Sequence, residues 1–205
     1  ISSVRLRLWS IICSMLVSKL WPSCPSFRMI SCAPYLIMCC ISWALILLGF
    51  AAAMRRSELV GIDVGDLRFT PLGMVVLLRR SKTDQEGVGR EIAVPLGRTS
   101  VCPVTAVLEW LRVAAIEAGP VFRAITRSGA VSRKRLSDQM VSMIVKLAAA
   151  AIGLPADAYS GHSLRAGLVT SAARMGVDAL MIQQQTGHQS LAMVSRYVRG
   201  VDAFS

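Results

Sequence analysis

The sequence predicts a mainly α-helical fold with a small three-stranded antiparallel β-sheet on one edge. Three observations lead there. Apolar stretches of helical length, each closed by a glycine or proline, recur from residue 43 to the C-terminus. Only one region, residues 63–95, is rich in short β-branched runs. Within it, Lys82, Asp84, Gly87 and Gly89 form a polar, glycine-bearing loop of hairpin length.

Residues 43–53 read as a buried helix leading into Met54-Arg55-Arg56-Ser57-Glu58-Leu59. Ser57 and Glu58 start a short helix that ends near Gly61. Residues 63–69, 74–80 and 90–95 read as strands, since Val75-Val76-Leu77-Leu78 is β-rich and Ile92 and Val94 alternate with polar neighbours. Pro103 opens a helix to about Ala118, with Val107, Leu108, Leu111 and Ala115 as its apolar stripe. Gly119-Pro120 stops it, and Val121-Phe122 is a short apolar element. Residues 127–135 read as a basic loop containing Arg133, Lys134 and Arg135. Ser137 caps a helix to about Ala151, and Gly153 and Pro155 end it. Residues 162–175 form the next helix, Asp178 caps another to Gln185, and a last one spans about 191–198. No internal repeat or low-complexity linker occurs.

Composition narrows the partners. The chain has 205 residues and a formal net charge of +11, with 54% apolar residues. That is enough for a core, and the charge favours a polyanionic partner, nucleic acid or an anionic membrane surface. The first 57 residues hold six basic groups and no acid, whereas residues 58–205 hold seventeen basic groups and all twelve acids. Cys13, Cys24, Cys32, Cys39 and Cys40 crowd the same first segment, leaving only Cys102 beyond it. No C-x-x-C pair and no nearby histidine accompany them, so no metal site is expected. The later part of the chain, with one cysteine, reads as cytosolic.

Residues 1–34 have no clean period. The segment 1–42 is expected to be atypical, non-native or poorly ordered, as a frameshifted start would be. Residues 43–205 are expected to form the functional domain. From Met29 to Met54 no side chain is charged, a length that raises a membrane span. Pro34 and Gly49 interrupt it, and no signal-peptide pattern stands at the N-terminus.

The chemistry concentrates near the C-terminus. The only two histidines, His162 and His188, lie there with Arg165 and Tyr197. A tyrosine offers an oxygen nucleophile, an arginine binds phosphate oxygens through its planar fork, and histidine moves protons near neutral pH. His162 and Arg165, three apart, fall on one helix face. Taken singly, each has a plainer reading: His162 a capping or surface residue, Arg165 a surface ion-pair partner, Lys82 a solvated turn residue, Glu58 a helix-start acid. Tyr197 alone reads as a packing residue.

The order of these pieces overturns the plainer readings. Arg55-Arg56-Ser57-Glu58-Leu59, Ser81-Lys82-Thr83, His162-Ser163-Leu164-Arg165, Gly187-His188 and Arg196-Tyr197 together resemble the tyrosine recombinases, the phage-integrase family, in their catalytic domain. The resemblance covers about residues 43–201. It implies that Arg55 and Arg165 clamp the scissile phosphate and that Glu58 orients Arg55. Lys82 would protonate the leaving 5′ oxygen, His162 would handle the nucleophile's proton, and His188 would hydrogen-bond the phosphate. Tyr197 would attack and form a 3′-phosphotyrosine. The implied partner is double-stranded DNA, with Arg133, Lys134, Arg135, Arg196 and Arg199 as further DNA contacts. No cofactor is implied, and the expected assembly is a tetramer on DNA, in the cytoplasm with the nucleoid. Where the family usually carries glycine two residues before the first arginine, Ala53 stands here. The family's separate N-terminal DNA-binding domain is not matched by residues 1–42, so weak, salt-sensitive DNA binding is expected of the chain alone. Two rivals stand beside this reading: an inactive DNA-binding remnant, and a membrane-anchored protein using residues 29–54.

Overall fold

The computed structural model describes residues 33–79, 89–97, 101–187 and 190–194. Its centre is α1 (Ala33–Ala51). Ile41, Ala44, Leu45, Leu47 and Leu48 are each no more than 2% exposed. A helix that is apolar all round needs cover over most of its surface, and in this one Leu36 and Met38 near its start stay exposed. Here α3 (Pro103–Val113) and α5 (Gly161–Arg174) cover it, with further contacts from α2 (Arg56–Gly61) and α4 (Asp138–Ala151). This accounts for the uncharged stretch and disfavours the membrane rival. Its residues bury against the chain's own helices, and no helix among the described residues is long and apolar enough to cross a membrane. The helix also begins ten residues before Trp43, where small and sulfur-bearing residues hide its periodicity.

The sheet has the order β1-β2-β3, all antiparallel, from β1 (Leu67–Thr70), β2 (Gly73–Leu78) and β3 (Arg90–Pro95). Val76 pairs with Leu67 on one side and Ile92 on the other. Met74, Val76 and Leu78 alternate inward, as do Ile92 and Val94, so one face joins the core. The first strand is shorter than expected. Residues Val64–Asp66 instead make a 3-10 turn, because the Asp66 carboxylate accepts the Asp63 backbone N–H at 2.9 Å. The same buried carboxylate takes Arg79 Nε at 2.5 Å and so ties the end of β2 back to the turn.

α3 ends at Val113, short of the predicted Ala118. Ala115 adopts φ +49 and Ile116 N–H bonds back to the Leu111 carbonyl at 2.9 Å, which reverses the chain and buries Ile116. Its apolar stripe is also displaced. Leu108 is 46% exposed, and the buried face runs through Pro103, Ala106, Val107 and Trp110. The largest side chain sets that face. Trp110 is fully buried and donates Nε1–H to the Val121 carbonyl at 2.8 Å. Trp110→Ala is expected to cost about 3–5 kcal/mol, from lost burial and a remaining cavity. Urea unfolding followed by circular dichroism measures it, and Trp110→Phe should recover most of the loss.

The predicted basic loop is a second, two-stranded sheet: β4 (Arg123–Ile125) pairs antiparallel with β5 (Val131–Arg135). Three consecutive cations hide the strand in the sequence, because neither face of this hairpin reads as apolar. Thr126 and Gly129 close its turn through backbone bonds. α4 starts where Ser137 Oγ accepts the Met140 N–H. Ser160 caps α5, and Asp178 caps α6 (Ala179–Thr186) by accepting the Leu180 N–H at 2.8 Å. Gly187 ends α6 at φ +65, the left-handed position that glycine fills without strain. Residues 191–194 are helical, and the rest of the predicted last helix lies outside the described residues. Val169, Ala172, Ile182 and Val194 form a small second cluster that packs this end on α5.

Candidate active site

The site is built around the turn between α1 and α2. Ala53 occupies it at φ +50, fully buried. A side chain at that angle is strained, which is the reason glycine suits the position; alanine is the smallest side chain that can bear it. Two carbonyls of this stretch accept bonds from distant elements. Arg165 Nη1 donates to the Ala53 carbonyl at 2.8 Å, and Gln185 Nε2 donates to the Ala51 carbonyl at 3.2 Å. α5 and α6 are thereby pinned to the residues immediately before Arg55.

Arg55 is the N-cap of α2. Glu58, three residues on, accepts from it twice. Arg55 Nη1 reaches Oε1 at 2.5 Å, and the Arg55 backbone N–H reaches Oε2 at 2.9 Å. The Glu58 side chain is only 3% exposed, while that of Arg55 is 25% exposed. A buried carboxylate thus holds an accessible guanidinium in one orientation. The capping arrangement explains why the acid stands at this spacing.

Arg165 lies in α5 and is 2% exposed, not the surface ion-pair partner that its type suggests. His162, one turn earlier on the same helix, is exposed. Its backbone N–H donates to the Ser160 hydroxyl at 3.3 Å, inside a capping pair that Ser163 completes by accepting from Ser160 N–H at 2.9 Å. Gly161 permits the close approach of this helix start. A Cβ there would stand 3.2 Å from both Arg56 Cβ and Val141 Cγ1. Arg56 in turn pairs with Asp138 at 3.1 Å, joining α2 to α4 beneath it.

Arg90, which no sequence pattern singles out, also borders the site. Burial lowers its pKa from the ordinary arginine value; the Glu58 carboxylate opposes that shift and the Arg55 guanidinium adds to it. Both charges therefore act on Arg90 across the site. Sequence reasoning misses Gln185 and Gly161 as well. Their signal is tertiary, since a glutamine on a helix and a glycine before a histidine look ordinary in a sequence.

The remaining candidates divide in two. Lys82, His188, Arg196, Tyr197 and Arg199 lie outside the described residues. Arg133 and Lys134 are exposed on β5. Arg135 is used internally: it donates to the Val60 carbonyl at 2.7 Å, the Ile62 carbonyl at 3.3 Å and Asp63 Oδ1 at 2.6 Å. Those bonds fasten the β4–β5 hairpin to the end of α2. Among the described residues no cluster of three or more His, Cys, Asp or Glu side chains could hold a metal ion.

A buried arginine and a carboxylate-held arginine meet at this one turn, and the phage integrase family matches residues 36–203. The chain belongs to the phage integrase family. It is 47% identical over 162 residues to an integrase/recombinase XerD homolog from Selenomonas ruminantium, covering 78% of this chain and 48% of that protein. It is 28% identical over 170 residues to the recombinase Cre of Escherichia phage P1, covering 76% and 48%. The XerH site-specific recombinase, in a post-cleavage complex with a palindromic difH substrate, has the same fold. Its TM-score is 0.66 at 17% identity, over 94% of this chain and 48% of that one. The chain spans about half the length of the curated relatives it matches. Within the phage integrase family the expected fold is borne out: mainly helices, with a three-stranded antiparallel sheet.

Proposed function

We propose that this chain is the catalytic portion of a site-specific DNA recombinase, acting on double-stranded DNA through a 3′-phosphotyrosine intermediate. The observation that carries the reading is the convergence of Arg165 and Arg55 on one turn, through the Ala53 carbonyl and Glu58. It is supported by the recombinase names of the relatives and by the XerH likeness in fold.

In this reading Arg55 and Arg165 bind the two non-bridging oxygens of the scissile phosphate, where charge grows as the phosphorus gains a fifth ligand. The Tyr197 oxygen attacks phosphorus and the bond to the 5′ oxygen breaks. His162 receives the phenol proton, Lys82 protonates the departing 5′ oxygen, and His188 hydrogen-bonds the phosphate. The bond energy of the diester is kept in the phosphotyrosine, so a 5′ hydroxyl from another strand can reverse the step without ATP. Assembly as a tetramer on DNA and a cytoplasmic, nucleoid-associated location belong to the same proposal.

The test is a pool of nicked duplexes with randomised centres, in which a short strand leaves after cleavage and traps the enzyme. An SDS-stable adduct, with DNA on the peptide containing Tyr197 by mass spectrometry, is the expected result. No adduct at any sequence in the pool would favour an inactive DNA-binding remnant.

Arg133 and Lys134 are the exposed cations proposed to bind phosphates; Arg135, exposed as well, is already engaged by Val60, Ile62 and Asp63. The Arg133→Ala/Lys134→Ala double variant is expected to reduce the slope of log affinity against log salt by about 1.8, some 0.9 for each phosphate no longer neutralised. Fluorescence anisotropy across a salt series measures it. Arg135→Ala should instead lower thermal stability, by removing the donor to two carbonyls and one member of an ion pair.

A further inference from the structure

Arg90 is the first residue of β3, and its side chain crosses to another element. Nη1 donates to the carbonyls of Gln184 at 3.2 Å and Gln185 at 3.4 Å. These belong to the last turn of α6, where carbonyls lack helical partners and the helix end carries partial negative charge. The guanidinium also packs on Gly187: a Cβ there would meet Nη1 at 2.5 Å and Cζ at 2.8 Å. From the opposite side the Gln185 side chain holds the same turn to Ala51, two residues before the carbonyl that takes Arg165. The end of α6 is therefore gripped between the sheet and the turn that presents Arg55.

We propose that Arg90 is a positioning residue, holding the Gln184–Gly187 turn in fixed relation to the Arg55–Arg165 pair. Its expected effect on rate rests on the recombinase reading; its grip on the turn does not. Arginine is suited to this place because one planar group serves two carbonyls and lies against a glycine backbone. A lysine ammonium donates to a carbonyl but cannot pack in that way. The charges of Glu58 and Arg55 acting on Arg90 agree with its place at the edge of the same site.

Two measurements on the full chain decide this. The first is hydrogen exchange of backbone amides in Arg90→Ala. Exchange at residues 184–187 should quicken, with α1 and the sheet unchanged. The second is single-turnover cleavage of the best duplex recovered from the randomised pool. Arg90→Ala should lower the rate constant about tenfold to a hundredfold, since small misplacements of distant groups cost on that scale. DNA affinity and the fraction of protein that cleaves should stay within about twofold, and Arg90→Lys should recover part of the rate. A merely structural residue would reduce the cleaving fraction and leave the rate constant alone. That result, a wild-type rate in Arg90→Ala, or unchanged exchange at 184–187 overturns the proposal. If the parent chain cleaves nothing, the recombinase reading fails, and the exchange comparison alone decides whether Arg90 holds the turn.

Discussion

Tyr197→Phe is expected to abolish the SDS-stable protein–DNA adduct while leaving DNA affinity within about twofold of the parent chain. The substitution removes one oxygen and keeps the ring, so packing and charge are preserved and only the nucleophile is lost. The chain has three tyrosines, which makes the result diagnostic. Tyr159 follows the 3-10 turn Ala156–Ala158 and packs, partly buried, against the main core. Tyr35 belongs to the first turn of α1. Adduct formation that survives in Tyr197→Phe would have to come from one of these, and the assignment of Tyr197 would then be wrong. Peptide mapping of any residual adduct identifies which.

The second large effect is at Arg165. Arg165→Ala is expected to lower the cleavage rate by about a hundredfold to a thousandfold, the scale for deleting one preorganised donor to a developing oxyanion. It also strands the Ala53 carbonyl, a loss of about 1–3 kcal/mol in a buried place. The two consequences separate with a second variant. Arg165→Lys keeps the charge and can still donate one bond, so stability should be largely kept. The planar fork is gone, however, and cleavage should remain far below the parent. Thermal unfolding and single-turnover rates on the same preparations distinguish the outcomes. A fast Arg165→Lys would mean that charge alone, not fork geometry, is what the site requires.

Much of this molecule is legible in its sequence because local rules agree with the global fold. Ser137 and Asp178 stand at helix starts, and each accepts a backbone N–H there. Gly187 announces a stop and takes the left-handed conformation there. Glu58 three residues after Arg55 is both a capping arrangement and part of the motif that resembles the family, so either reading finds it. The failures have a common cause: each depends on what surrounds an element, which its own residues do not state. Arg133, Lys134 and Arg135 conceal the β4–β5 hairpin, because exposed strands need no apolar alternation. The stripe on α3 reads through Leu108, yet Trp110 turns the helix by its greater need for cover. The uncharged helix α1 looks like a lipid span because periodicity does not distinguish lipid from a surrounding set of helices.

By itself the sequence determined most of the element types, the caps, the basic character and the ordered set of residues that marks the phage integrase family. These depend on neighbours within a few positions, or on residue identity alone. Only the tertiary structure decided that Arg165 is buried and bonded to the turn before Arg55, that Arg135 serves the hairpin's own anchorage, and that Arg90 grips the end of α6. Each of those is a bond between a side chain and a backbone carbonyl far away along the chain. Every residue offers the same carbonyl, so no residue pattern can say which one a distant arginine will reach.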